Sequence, residues 1–202
     1  MLRKTHSGGF KAISFDKDGL PTEFEGYAAV FDNIDLGGDK IIKGAFADSL
    51  TTRYPKSGAG IPVYWNHELS DPFANIGQTI KAYEDDFGLR VSVALDTETS
   101  WGKQTARLLK EERVKQMSFS FDVVEGAFVE SEDGYYYELR KLDLFEVSVV
   151  PIGMNQATEI VSVKALKEQE KASRSDVEET PSEAPTVVRR ETAARRLRAM
   201  DL

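Results

Sequence analysis

Three side chains in this sequence have the right types to act together on an electrophile: an imidazole, a hydroxyl and a carboxylate. His67 stands where the compact apolar run 61–65 gives way to Asn66-His67-Glu68. A residue at a strand end is rigidly held yet can reach solvent and substrate. The run Met117-Ser118-Phe119-Ser120-Phe121 has strand period, so the phenylalanines share one face and the two serines the other. Glu146 sits inside the apolar run 144–151, where a carboxylate buried without a partner is expensive. Two explanations fit it: a solvent-facing side shared with Ser148, or a hydrogen-bonding partner such as a histidine.

Taken singly, these residues are unremarkable. A histidine is most simply a packing or surface residue, and serines opposite a core face are most simply solvated. The chain as a whole narrows the choice. It has no cysteine, and His6 and His67 are its two histidines. Thiol nucleophiles, thiolate metal sites and disulfides are excluded, and a multi-histidine metal site is not expected. A Ser/His/acid triad is then the available nucleophilic machinery. In it, neutral His67 takes the serine proton during attack on a carbonyl, and Glu146 fixes the tautomer and stabilises the imidazolium. Strand period alone does not decide between Ser118 and Ser120. Glu68 and Asp71 are alternative carboxylates close to His67 in sequence. Asp32, Asp35 and Asp39 lack the full spacing and terminal Glu of a calcium loop and read as turn formers. Neither a metal nor a cofactor is expected.

The elements that must position these residues are mostly strands. Alternation predicts strands over 10–15, 24–32, 40–43, 61–65, 76–83, 89–95, 114–124, 128–130, 135–139 and 144–150. Helices are predicted over 45–53 and 99–112, the second capped by Thr97 or Thr99. Glu132-Asp133-Gly134 reads as a hairpin turn. Many short strands with one good helix imply a β-rich α+β domain, a barrel or sandwich with helical insertions, over residues 1–165.

Composition changes after about Ala165. Residues 166–188 are rich in Glu, Ser, Lys and Pro and read as a flexible linker. In residues 189–202, Ala193, Leu197 and Met200 recur at helical spacing, and Arg189, Arg190, Arg195, Arg196 and Arg198 make the segment basic, so it reads as a basic helical tail. The formal net charge of −8 argues against nucleic-acid binding. No apolar run approaches the roughly 20 residues of a membrane span, and residues 1–15 contain no secretory apolar core. The expectation is an intracellular protein without nucleic-acid or membrane partners.

Four separated strings go further. Residues 24–32, Phe-Glu-Gly-Tyr-Ala-Ala-Val-Phe-Asp, followed by Asp35, Gly37-Gly38-Asp39 and Gly44-Ala45-Phe46, resemble the opening of the tailed-phage prohead proteases. Trp65-Asn66-His67 with Ile76-Gly77 resembles the family's histidine motif, and Met117-Ser118-Phe119-Ser120-Phe121 its serine motif. Residues 145–151, then Asn155 and Ala157, resemble its closing motif. Order and spacing agree from Phe24 to Ala157. This chain has Ser120 where the family usually has glycine.

The resemblance implies Ser118 as nucleophile, since the first serine of the motif holds that role, with His67 as base and Glu146 as third member. It implies a herpesvirus-protease-like β-barrel with surrounding helices, commonly paired as a homodimer. The herpesvirus enzymes use a second histidine in the third role; this domain has none to spare, which fits Glu146. The implied activity is a serine endopeptidase, confined to the assembling procapsid in the host cytoplasm. Its implied substrates are scaffold and major capsid protein segments, and finally its own tail. The competing reading is a catalytically inactive assembly or scaffolding module that has kept the protease fold.

Overall fold

The computed structural model describes residues 11–132 and 134–158. The expected linker and basic tail lie outside the described residues. The strands are β1 (Lys11–Phe15), β2 (Pro21–Val30), β3 (Asp39–Ile41), β4 (Pro62–Trp65), β5 (Asn75–Glu84), β6 (Gly88–Leu95), β7 (Gln116–Ser131) and β8 (Gly134–Val150). Helix α1 (Ala47–Thr52) follows β3, and helix α2 (Ser100–Lys110) follows β6.

All eight strands belong to one sheet, in the order β1-β2-β6-β5-β4-β8-β3, with β7 also paired to β8. The fold is therefore mostly sheet with few helices. The expected closed barrel is not formed: among the described residues no ladder joins the two ends of this path. Side chains meet where backbone pairing is missing. Met117 of β7 lies against Gly26 of β2, where an added Cβ would come within 3.0 Å of its sulfur.

The four separate strands expected between 114 and 150 are in fact two long ones. Gln116–Ser131 and Gly134–Val150 form one antiparallel hairpin whose ladder runs from Gln116↔Val150 to Ser131↔Gly134. Register shifts at Ser120/Phe121, Val123/Glu125 and Glu125/Gly126 let the ladder continue where sequence alternation lapses. The chain reverses direction between Ser131 and Gly134, where a hairpin is expected.

Strand β8 is the backbone of the site. Its far edge is shared by two parallel partners, β3 at Tyr137–Leu139 and β4 at Val147–Val149. Its inner face contributes Leu142, Leu144, Val147 and Val149 to a core with Phe24, Phe46, Ile61, Val63, Ile76 and Met117, all essentially buried. Helix α1 and the segment just after it pin the strand before Glu146. Ser49 Oγ donates to Leu142 O (2.9 Å) and accepts from Leu144 N (3.0 Å), while Tyr54 Oη donates to Phe145 O (2.6 Å). Helix α2 begins at Thr99, whose Oγ1 accepts from Gly102 N at 3.1 Å. It buries Thr105, Ala106 and Leu109.

Candidate functional site

Cross-strand register assembles the site. Ser118 of β7 lies opposite Ser148 of β8, and Ser120 lies opposite Glu146. Directly opposed residues share a face, with Cβ atoms ordinarily about 5 Å apart. All four side chains therefore project from the same side of the hairpin. Strand β4 runs beside β8 with Tyr64 level with Ser148 and Trp65 level with Val149, so the chain leaves β4 next to this cluster.

The exit from β4 is a tight turn. Glu68 N donates to Trp65 O at 3.1 Å, and both intervening residues have left-handed backbone, Asn66 at φ 52° and His67 at φ 59°. Such torsions are uncommon for residues with a Cβ, and asparagine and histidine tolerate them better than most. Two bonds tie the turn to β8: Asn66 N to Val149 O (2.9 Å) and His67 N to Ser148 Oγ (3.1 Å). The imidazole is thereby folded back over the carboxylate.

Glu146 is 1% exposed, and His67 Nδ1 lies 2.7 Å from its Oε1. Ser120 Oγ donates to the same Oε1 at 2.6 Å and lies 3.1 Å from His67 Nδ1. Ser148 Oγ donates to Oε2 at 2.6 Å. The solvent-facing explanation for Glu146 is thus overturned, and a histidine partner takes its place. Its neighbours supply hydrogen-bond donors to both oxygens, which is what makes a buried carboxylate tolerable. Among the described residues no buried side-chain nitrogen or oxygen lacks a partner.

These contacts fix the imidazole's proton. Both partners of Nδ1 accept from it, because the Ser120 hydrogen is already given to Glu146. The neutral ring then carries its proton on Nδ1 and leaves the Nε2 lone pair available as a base. Among the described residues no hydrogen bond engages Nε2. The side chain of His67 is 36% exposed, so that lone pair can meet a substrate.

Of the three residues singled out from sequence, the structure brings His67 and Glu146 into direct contact. Ser118 is on the same face beside Ser148, with no hydrogen bond from its hydroxyl to His67 among the described residues. Ser120 is the serine in contact with both. Ser148 was recognised only as sharing the strand face with Glu146. Its signal was the two-residue spacing, which in a strand places its hydroxyl beside the carboxylate.

The alternative carboxylates are engaged elsewhere. Glu68 accepts from the backbone and hydroxyl of Ser70, which hold its carboxyl below the ordinary range. Asp71 Oδ1 caps the short 3-10 turn Pro72–Ala74 by accepting from Phe73 N at 2.8 Å. Asp35 Oδ1 accepts from Gly37 N and Asp39 N, as a turn former does. Burial first, and then the nearby Asp35, push Asp39 upward. Asp35 and Asp39 line a cavity of about 120 Å³ under β7 that also touches Met117, Ser118 and Phe119.

Comparison with known proteins adds a direct result. Residues 11–173 match the family described as caudovirus prohead serine protease. The prohead protease of Enterobacteria phage HK97 is 29% identical over 163 residues, 81% of this chain and 69% of that protein. Among solved structures, KSHV protease in complex with a hexapeptide phosphonate inhibitor aligns with TM-score 0.42 and 14% identity. That alignment covers 68% of this chain and 62% of that one.

Proposed function

We propose a catalytic mechanism from one premise: this chain belongs to the caudovirus prohead serine protease family, the serine proteases of phage capsid maturation. In it, Ser118 is the nucleophile, His67 the general base through Nε2, and Glu146 the group that orients the imidazole through Nδ1. The observation that carries this reading is the 2.7 Å contact between His67 Nδ1 and a carboxylate that is 1% exposed. The acid occupies one ring nitrogen, and the chemistry is left to the other.

The steps follow from that division. Ser118 Oγ attacks the scissile carbonyl carbon while its proton passes to Nε2. The resulting imidazolium stays paired with Glu146 and returns the proton to the leaving amine as the C–N bond breaks. Water then repeats the sequence against the acyl-enzyme, giving its proton to Nε2 and releasing Ser118. Substrates are scaffold and capsid-protein segments inside the procapsid.

Ser120 offers a second reading, because its hydroxyl is the one already near His67. Its geometry suits support better than attack. It meets the ring at Nδ1, on the acid's side, and its hydrogen points to Glu146 Oε1. Attack by Ser120 would need the carboxylate to take that proton, and a carboxylate is ordinarily a far weaker base than imidazole. Ser118 shares that face, and among the described residues no hydrogen bond commits its hydroxyl proton to the acid. Ser118→Ala should abolish cleavage of the capsid precursor while Ser120→Ala retains it; the reverse pattern transfers the role to Ser120.

The same reading extends to quaternary state and processing: a homodimer, with the tail beyond about Ala165 removed by the enzyme itself. The charge and proline content of 166–188 supports it, since such segments enter a protease cleft readily. Mass spectrometry should show tail loss that Ser118→Ala prevents, and sedimentation should show a dimer. An intact tail in active enzyme, or a monomer, would remove these two parts and leave the triad standing.

A further inference from the structure

We infer that Ser148 is a positioning residue for catalysis: its buried hydroxyl is the clasp that holds the strained His67 turn in register with the Glu146 carboxylate. The inference rests on the triad reading of His67 and Glu146. Ser148 is fully buried, and its Oγ makes two contacts with different elements. It accepts from His67 N at 3.1 Å and donates to Glu146 Oε2 at 2.6 Å. One hydroxyl thus joins the base's backbone to the acid's second oxygen.

The need for such a clasp follows from the turn. Asn66 and His67 both hold left-handed backbone, a conformation that persists only where surrounding contacts over-determine it. Ser148 Oγ supplies the tether to the backbone of His67 itself. Without it, the turn can relax toward commoner torsions and carry the ring away from Oε1. Ser120 cannot substitute, because it holds Oε1 and the ring but no backbone atom of the turn. Misplacement of a catalytic group by about 1 Å is enough to lose on the order of 100-fold in rate.

The test uses three substitutions in the full chain. Ser148→Ala should lower kcat on a capsid-derived peptide on the order of 10- to 100-fold with KM within about twofold. Ser148→Cys preserves shape but weakens both hydrogen bonds, so it should behave like Ser148→Ala; a purely packing role predicts wild-type rates for it. Ser148→Thr retains the hydroxyl and should recover most of kcat. A second readout does not depend on turnover. In Ser118→Ala protein, which cannot digest itself, NMR should show the His67 ring protonated on Nδ1 with a strongly downfield proton. Adding Ser148→Ala should broaden or abolish that resonance. If it is unchanged, or if the Cys variant matches wild type, the clasp is refuted while the triad stands. If the resonance is missing already in Ser118→Ala, the His67–Glu146 reading fails, and the clasp with it.

Discussion

Two carboxylates in this sheet are dressed almost alike, but only one of them is paired with a side chain that can exchange a proton. On β2, Glu25 accepts from Arg90 Nη2 at 2.8 Å and from Ser92 Oγ at 3.1 Å, both on the neighbouring β6. On β8, Glu146 meets His67 Nδ1 at 2.7 Å and accepts from Ser120 and Ser148. Each cluster combines a carboxylate, a nitrogen partner and a serine hydroxyl from the neighbouring strand, Ser92 in one and Ser120 in the other. They differ in the partner's chemistry and its mounting. Arg90 stays protonated at any ordinary pH, and Glu25 raises its pKa further, so the pair can brace the sheet but cannot move a proton. His67 can both take and return one. Arg90 also sits within a strand with its head partly in water, whereas His67 is held by a turn of unfavourable torsions over a carboxylate sealed from solvent. Polar clusters of similar outline are thus separated by whether the cation is switchable and whether the backbone is forced to present it.

The comparison breaks most visibly at the reacting groups. Ser118→Ala or His67→Ala should reduce cleavage of a capsid-derived peptide on the order of 10⁵- to 10⁶-fold, down to the background rate. Glu146→Gln should keep the fold, since an amide can still bond both serines, yet lower kcat on the order of 10⁴-fold. Unchanged turnover there would mean that the carboxylate is structural, as Glu25 is. Ser120→Ala removes one bond to the charged oxygen and should lower kcat about tenfold or less.

On the other side, Glu25→Gln should leave peptide cleavage within about twofold of wild type. Its effect on stability, read by chemical denaturation, should stay within about 1 kcal/mol, because the pair is partly exposed and screened. A large activity loss would mean that the brace is coupled to the site. The smallest effect concerns Tyr27, next to Arg90. Burial first, and then its hydrogen bond to the Asp85 carboxylate, push its hydroxyl up to about 12. A folded-state value above the ordinary one near 10 gives a contribution fully present below about pH 10 and lost as pH rises through about 12. Tyr27→Phe should therefore flatten the loss of stability between about pH 10 and 12 relative to wild type.

Sequence reading went furthest where pattern and geometry share a period. Strand alternation put Ser118, Ser120, Glu146 and Ser148 on common faces, and the reversal between β7 and β8 falls where the sequence predicts a hairpin. It failed where the ladder tolerates irregularity. The bulges near Ser120 and Glu125 interrupt alternation without ending the strand, so two strands looked like four. Glu146 looked able to face water because nothing in a linear pattern shows that a turn from β4 will close over β8. That closure depends on left-handed torsions at Asn66 and His67 and on the Ser148 tether. Strand period could not separate the two serines, since both point the same way; the contact of Ser120 with His67 Nδ1 depends on the same turn closure.

Attack by Ser118 through Nε2, with Ser120 kept on the acid's side of the ring, is the step on which the mechanism turns. It is tested most directly by labelling the full chain with a fluorophosphonate, which bonds covalently to an activated serine. The tryptic peptide spanning residues 116–140 carries both candidates, and fragmentation across Phe119 separates them. The adduct should form on Ser118, disappear in His67→Ala and stay on Ser118 in Ser120→Ala. An adduct on Ser120, or labelling that ignores His67, would contradict it.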